Sequence, residues 1–322
     1  MQRQVCWCGG TLSEVFSPDY MQCNDCGTLV GISTLTRDEL LVSNDETAFY
    51  GKNYWLQHQE NDYGYPSIFE RASSDLTDRN LHWLSTLLKY KLPPAKTLEL
   101  GCSHGSFVGM LNMVGFDAEG MEMSPWVVDF AKETFDVPVL LGPLEDLEIQ
   151  EGSYDVIALM DVLEHLPDPV GTMRKALSLL NQDGILLIQT PQFKPEMRYQ
   201  ALLDTDGPFL EQLKKDEHLF LFSTSSVTRL FAEIGAEHIV FEEAMFTKYD
   251  MFFVVSREPL TAVPDDAAEK ALNTPKAKFV AALLSQDQKI KELQRRTVIL
   301  DEDRQNRLDQ IHELTDMVKK LQ

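Results

Sequence analysis

The chain has 322 residues, more than one ordinary core needs and enough for two or three folded units. At 43% hydrophobic and 9% aromatic it can bury a globular core, yet no apolar run reaches the roughly 18 residues of a membrane span. A net charge of −22 repels polyanions, so no nucleic-acid partner is expected, and the acidity is read as solubility.

The opening stretch, MQRQVCWCGG, lacks the apolar core of a secretory signal, which predicts a cytoplasmic chain. Four of the five cysteines fall within the first 26 residues, and clustering of this kind in a cytosolic protein favours a metal over disulfides. Cys6 and Cys8, then Cys23 and Cys26, lie on two glycine-containing turns 14 residues apart. Four thiolates on two tight turns can close a tetrahedral site, and a structural zinc ion is the expected occupant. The first pair is C-x-C rather than C-x-x-C, and a redox pair is the competing reading. Residues 1–35 are taken as this zinc-binding knuckle.

Residues 36–75 carry the aromatic run Phe49-Tyr50-Gly51-Lys52-Asn53-Tyr54-Trp55 and read as a connector that covers the substrate side of the next domain. Helix and strand then alternate over 76–258. Asp75-Leu76-Thr77-Asp78 is a candidate cap for a helix with Leu81, Leu84, Leu87 and Leu88 on one face, stopped by Pro93-Pro94. Strands are expected at 97–100, 118–121, 137–141, 154–160 and 185–190, with two more β-rich runs at 237–241 and 251–256. Helices are expected at 107–114, 125–135, 170–180 and 223–234. This alternation implies an α/β, Rossmann-like fold with a mostly parallel seven-stranded sheet and helices on both faces. Ligands of such sheets bind outside the carboxyl ends of the strands.

Residues 259–275, rich in Ala, Pro, Asp and Glu, read as a linker. From 276 to 322 one helix without Gly or Pro follows, and a heptad fits it. One series is Leu283, Ile290, Thr297, Arg304, Ile311 and Val318; the other is Phe279, Gln286, Leu293, Leu300, Arg307, Leu314 and Leu321. These seams predict a coiled coil and a homo-oligomer, dimer or trimer, against the alternative of a helix docked on the body. The heptads run to Gln322 with no stop signal, as in a chain that continues.

The turn after the first strand of the domain reads Leu98-Glu99-Leu100-Gly101-Cys102-Ser103-His104-Gly105. Gly101 and Gly105 permit positive φ and close approach of a ligand, and the following helix start offers free N–H groups to a carboxylate. Glu122, 21 residues after Gly101 and next to Met123, falls where a carboxylate can accept from both hydroxyls of a ribose. The G-x-x-x-G spacing lacks the glycine pair of G-x-G-x-x-G that brings a helix start to a pyrophosphate, which disfavours a nicotinamide cofactor.

Residues 98–105 resemble the first motif of class I S-adenosylmethionine (SAM) dependent methyltransferases, in the GCxHGxF form of a subset acting on sugars and related small molecules. Ser103 stands in place of the usual middle glycine. Ser124-Pro125, Tyr154-Asp155-Val156-Ile157 and Asp161-Val162-Leu163-Glu164-His165-Leu166-Pro167-Asp168-Pro169 match later motifs in order. Glu217-His218-Leu219-Phe220-Leu221-Phe222-Ser223 is similar to a segment of the sugar and quinone methyltransferase group. The resemblance covers residues 45–257 and implies a division of roles. Glu99, Gly101 and Gly105 would shape the methionine pocket, with Cys102 in the same turn and in no need of thiol chemistry. Glu122, beside Met123, would hold the ribose, Leu144 and Glu145 would flank the adenine, and Met160 and Asp161 would sit by the methionine amine.

Methyl transfer to a hydroxyl needs a positioned nucleophile and a base. His165 and His218 are the candidates, and the resemblance favours His218. The expected function is O-methylation of a sugar hydroxyl, as on a bacterial surface glycan. C-methylation of a nucleotide-linked sugar is the close alternative, although the additional C-terminal domain of such enzymes is not visible. A zinc-knuckle nucleic-acid methyltransferase and a non-catalytic SAM-binding scaffold are the remaining readings.

Overall fold

The computed structural model describes residues 5–32 and 37–321. Residues 1–4 and 33–35 of the expected knuckle, residue 36 of the connector and Gln322 of the coil lie outside the described residues, as do the side chains of Arg37, Asp265 and Leu321.

The first cysteine turn precedes, and the second interrupts between β2 and β3, a small antiparallel meander of β1 (Leu12–Ser17), β2 (Tyr20–Cys23) and β3 (Leu29–Gly31). Further along, β7 (Tyr154–Met160) and much of β8 (Leu180–Pro191) are buried on both faces, as strands sandwiched between helical layers must be. They lie at the centre of a seven-stranded sheet with β4 (Lys96–Leu100), β5 (Asp117–Glu122), β6 (Val139–Leu141), β10 (His238–Glu242) and β11 (Asp250–Ser256). The order is β10-β11-β8-β7-β4-β5-β6. The five strands β4 to β8 run parallel, while β11 is antiparallel to both β8 and β10. The expected mostly parallel seven-stranded sheet is therefore present. Chain order reverses at β4, which has β5 on one side and β7 on the other, and this switch point opens a crevice at the carboxyl ends. The remaining strand, β9 (Phe220–Leu221), leaves the main sheet and pairs with β3, so the meander is the edge of a four-stranded sheet that includes part of the main domain.

Helices α1 (Ile68–Asp75), α2 (Leu81–Leu87), α3 (Ser106–Val114), α4 (Pro125–Phe135), α5 (Pro169–Leu179) and α6 (Thr224–Glu233) accompany the sheet. One expectation fails here. Asp75 caps nothing: helix starts at Ser67, whose hydroxyl and backbone N–H form a reciprocal capping box with Glu70, and it passes through a wider turn at Leu76–Asn80 into α2. Asp75 is thus buried inside a helical run. Among the described residues no helix is long and apolar enough to cross a membrane.

The segment read as a linker contains α7 (Asp265–Ala271), and Leu272 behind it is buried. The long helix α8 (Pro275–Leu321) has two faces with different fates. Ala277, Val280 and Leu284, none of them in the heptad series, pack into the core with residues of α2 and α3. The heptad residues Phe279, Leu283, Ile290, Leu293, Leu300, Ile311, Leu314 and Val318 are all exposed. The docked-helix alternative therefore describes the start of α8, while the seam remains free. Ending the chain after Pro264 should strip the core of Leu272, Val280 and Leu284 and lower unfolding stability by at least about 2 kcal/mol in urea titrations. Ending it after Val298 keeps that contact and should leave stability unchanged.

Candidate active site

The crevice at the switch point is a cavity of about 1130 Å³, at the upper end of the sizes of small-molecule sites. Its floor is the turn after β4. Gly101 has φ +67°, and a Cβ there would lie 2.6 Å from Cγ2 of Val162. Gly105 (φ +77°) begins α3, but a Cβ on it would meet Val137 and Ala131 at 3.0 and 3.1 Å. Gly105 therefore packs the turn on α4 rather than lining the cavity, unlike Glu99, Gly101, Cys102, Glu122 and Met123. The Cys102 thiol fills the notch left by Gly120, where a Cβ would collide with its sulfur. Burial, with Glu99 and Glu122 nearby, pushes that thiol well above its usual range, so it stays protonated.

Glu122 ties the turn together. Its carboxylate accepts from the backbone N–H of Ser103 (3.1 Å), Met123 (2.7 Å) and Ser124 (3.5 Å). Ser103, at the middle-glycine position, adopts the left-handed φ of +49° that the turn requires. Its hydroxyl, the Glu99 Oε2, the Trp55 indole N–H and the Glu164 Oε1 are buried without hydrogen-bond partners, and all four residues line the cavity. Unpaired buried polar atoms are rare, and four around one cavity are what a polar ligand would satisfy. Leu144 and Glu145, on the turn after β6, line the same space, Glu145 accepting from the Thr172 hydroxyl. The residues present therefore fit SAM.

At the end of β7 stand Met160 and Asp161, the latter with φ +58°. Asp161 accepts from Gln189 (3.0 Å) and Arg79 (3.2 Å), and Arg79 also faces Asp75 at 3.5 Å. Asp75 in turn bonds His104 at 3.1 Å. Asp250, at the start of β11, shares this wall. Burial first, then the Asp161 carboxylate, push it up to about 8. Neither Asp75 nor Asp250 carries a sequence signal of a site; each was reachable only through the pairing of distant elements.

The two histidines are neighbours on the cavity wall, rings edge to face with centroids 4.9 Å apart. The His218 Nδ1 lies 2.8 Å from the Gln212 carbonyl. A carbonyl can only accept, so Nδ1 carries the hydrogen and Nε2 keeps a bare lone pair. Burial, then His165, hold His218 well below its usual range and therefore neutral. His165, lowered chiefly by burial, has its Nδ1 3.0 Å from the Tyr50 hydroxyl. Beside them Glu217 is buried and bonded by Tyr54 (3.0 Å), by His58 (2.9 Å) and by Tyr63. Tyr50, Tyr54 and Trp55 of the connector line the same cavity. His58 and Tyr63 escaped sequence reading because nothing local marks them. From the opposite side Lys291 and Arg295 of α8 line the same cavity.

Away from the cavity, Cys6, Cys8, Cys23 and Cys26 bring their sulfurs within 4.8 Å of one another. Cys6 and Cys26, and Cys8 and Cys23, are each 3.6 Å apart. Hydrogen bonding from Cys6, more than that from Thr28, pulls the Cys26 thiol down to about 5. Four converging sulfurs fit a tetrahedral metal.

A family model described as a methyltransferase domain matches residues 72–240, just over half of the chain. The chain belongs to this methyltransferase domain family, and its sheet and switch-point cavity define a class I, SAM-dependent methyltransferase domain. Among curated relatives, the ubiquinone biosynthesis O-methyltransferase of Xanthomonas campestris pv. campestris is 30% identical over 105 residues, 31% of this chain and 44% of that protein. The corresponding protein of Xanthomonas axonopodis pv. citri is 30% identical over 129 residues, 36% and 54% of the two chains. The chain thus spans about half the length of the curated relatives it matches. The methyltransferase solved in complex with the Haloferax volcanii Trm112 activator aligns with TM-score 0.45 and 16% identity, covering 61% of this chain and 99% of that one. A TehB-like SAM-dependent methyltransferase from Corynebacterium glutamicum gives 0.41 and 18%, covering 62% and 98%. Likenesses this loose add nothing to the strand order.

Asp250 makes stability depend on pH in a definite direction. A carboxyl raised from about 3.9 in the unfolded chain to about 8 in the folded one leaves the folded state holding the extra proton between those values. Its contribution is therefore lost as pH rises through that window. In thermal melts across this range, Asp250→Asn should flatten the decline between about pH 5 and about pH 8; parallel curves for variant and parent would refute the assignment.

Proposed function

We propose that the chain transfers the methyl group of SAM to a hydroxyl of a sugar-type acceptor, with His218 as general base. SAM supplies the electrophilic methyl. Glu99, Glu122, Met123, Leu144, Glu145, Met160 and Asp161 would hold it on one side of the cavity. The observation that carries the reading is His218: a neutral imidazole, Nδ1 engaged and Nε2 bare, on the wall of the cavity that the cofactor turn floors. A neutral alcohol is a poor nucleophile, and a neutral imidazole can take its proton; the burial that keeps His218 neutral also makes it a weaker base than a free imidazole. Tyr50, Tyr54, Trp55 and Tyr65 line the cavity near His218 and would offer aromatic surface to a sugar ring; the hydroxyls of Tyr50 and Tyr54 are already engaged with His165 and Glu217. The names of the curated relatives, as O-methyltransferases, favour oxygen over carbon as the acceptor. They also support a second reading, a phenolic quinone precursor, which the same aromatic wall would suit. Screening sugars, nucleotide sugars and phenols for methyl gain by mass spectrometry separates the two. With the first acceptor that responds, His218→Ala should lower kcat by ~10²–10⁴-fold while SAM affinity stays near that of the parent. Full turnover in that variant would remove His218 as base, and the same loss in His165→Ala alone would transfer the role.

The four cysteines are proposed to hold one structural zinc ion, in keeping with a cytoplasmic setting where thiols stay reduced. Elemental analysis should find one zinc per chain, and none once all four are serine.

The exposed seam of α8 is proposed to join copies of the chain. Helices with such seams bury them against each other. Light scattering should give a smaller assembly for a chain ending after Val298 than for the full chain; equal sizes would make the outer half of α8 a spacer.

A further inference from the structure

We propose that the N-terminal cysteine module is a working part of the acceptor site, because its hairpin fixes the ring of His218 through Tyr20 and Gly31. The inference rests on the reading of His218 as base.

Tyr20, fully buried on β2, donates its only O–H to the backbone carbonyl of His218 at 2.8 Å. Gly31, at the end of β3, donates its N–H to the carbonyl of Leu219 at 3.0 Å. The pairs Leu29 with Leu221 and Val30 with Phe220 continue this contact along β9. The approach is close enough to demand glycine: a Cβ on Gly31 would lie 3.1 Å from the carbonyl oxygen of Lys215 and 3.2 Å from that of His218. On its other sides the same segment is bonded by the Lys214 carbonyl to His218 N–H (2.7 Å) and by the Glu164 carbonyl to Leu219 N–H (2.8 Å). With the backbone of His218 held this way, its Nδ1 reaches the Gln212 carbonyl, and that bond leaves Nε2 bare.

The hairpin owes its own shape to the cysteines. Cys23 ends β2, and its backbone closes the turn through Thr28 and Gly27, both at 2.9 Å. Cys26 and Thr28 lead directly into β3, and the indole of Trp7, next to Cys6 and Cys8, bonds the Thr28 hydroxyl at 3.0 Å. Gathering the four sulfurs on one ion would lock the register of β2 against β3 and so the height of Tyr20 and Gly31 over His218. The cofactor turn is held differently, by Glu122 and the Gly120 notch. The module therefore governs the acceptor half of the cavity and leaves the cofactor half alone.

The test is the tautomer of His218, read from its ring nitrogens by NMR in full-length protein labelled at histidine, alongside calorimetric titration with SAM. No acceptor is needed. The parent should show a single Nδ1–H tautomer. Tyr20→Phe, which removes one hydroxyl and keeps the ring, and Gly31→Ala should each give a mixture with the Nε2–H form, with SAM affinity unchanged. Stripping the metal with a chelator should do the same. A single Nδ1–H tautomer surviving in all three would overturn the proposal, as would a loss of SAM affinity equal in size to the loss of tautomer purity. A merely structural module would lower the melting temperature and leave the tautomer alone. Because the readout is not turnover, it stands or falls separately from the assignment of the base: His218→Ala retaining activity would remove the base, and the tautomer would still decide the clamp.

Discussion

The rest of the site depends on one buried carboxylate. Glu122 ends β5 and accepts three backbone N–H groups, one from the turn after β4 and two from its own strand end. Burial raises Glu122, and the three backbone N–H groups oppose that shift without cancelling it, so the carboxyl is met by backbone dipoles rather than by a cation. Remove the carboxylate and three N–H groups lose their partner, each loss costing on the order of 1 kcal/mol. The left-handed Ser103 is held by the Glu122 bond together with the Cys102 N–H bond to the Met121 carbonyl (3.0 Å) and the Cys102 thiol in the Gly120 notch. On the proposed reading, the cofactor would meet a backbone shape that Glu122 helps to fix.

The rest of the cavity wall, where the acceptor is proposed to sit, is built on another plan. Its groups come from far apart in the chain: Tyr50 and Tyr54 from the connector, His165 from the turn after β7 and His218 from the segment before β9. No single element orients them. They are placed by pairings between distant segments, such as Tyr54 on Glu217 and β3 on β9. A layout of this kind lets the cofactor half stay constant while the acceptor side is set by whatever packs on it.

That contrast explains what could be read from the sequence. The strands were legible because buried parallel strands leave apolar runs between turn signals, and the cofactor turn because glycine spacing and an acid at a strand end are local. The four cysteines were legible for the same reason. Asp75 misled because an acid before a helical pattern looks the same whether it caps the helix or lies within it. Gly105 misled because a positive-φ glycine serves packing as readily as ligand approach. In α8 the heptad hid a second face, Ala277, Val280 and Leu284, too short to register as a period. The Glu217 cage and the pairing of the cysteine hairpin with β9 left no trace, since long-range contacts have no signature in a single chain.

The central claim is that Glu122 organises a SAM site at the switch point. Calorimetric titration of SAM into the parent and into Glu122→Ala tests it most directly. The account predicts binding to the parent and about thirtyfold weaker binding to the variant, a loss of ~2 kcal/mol. Equal affinities, or a parent that binds NADH and not SAM, would contradict it.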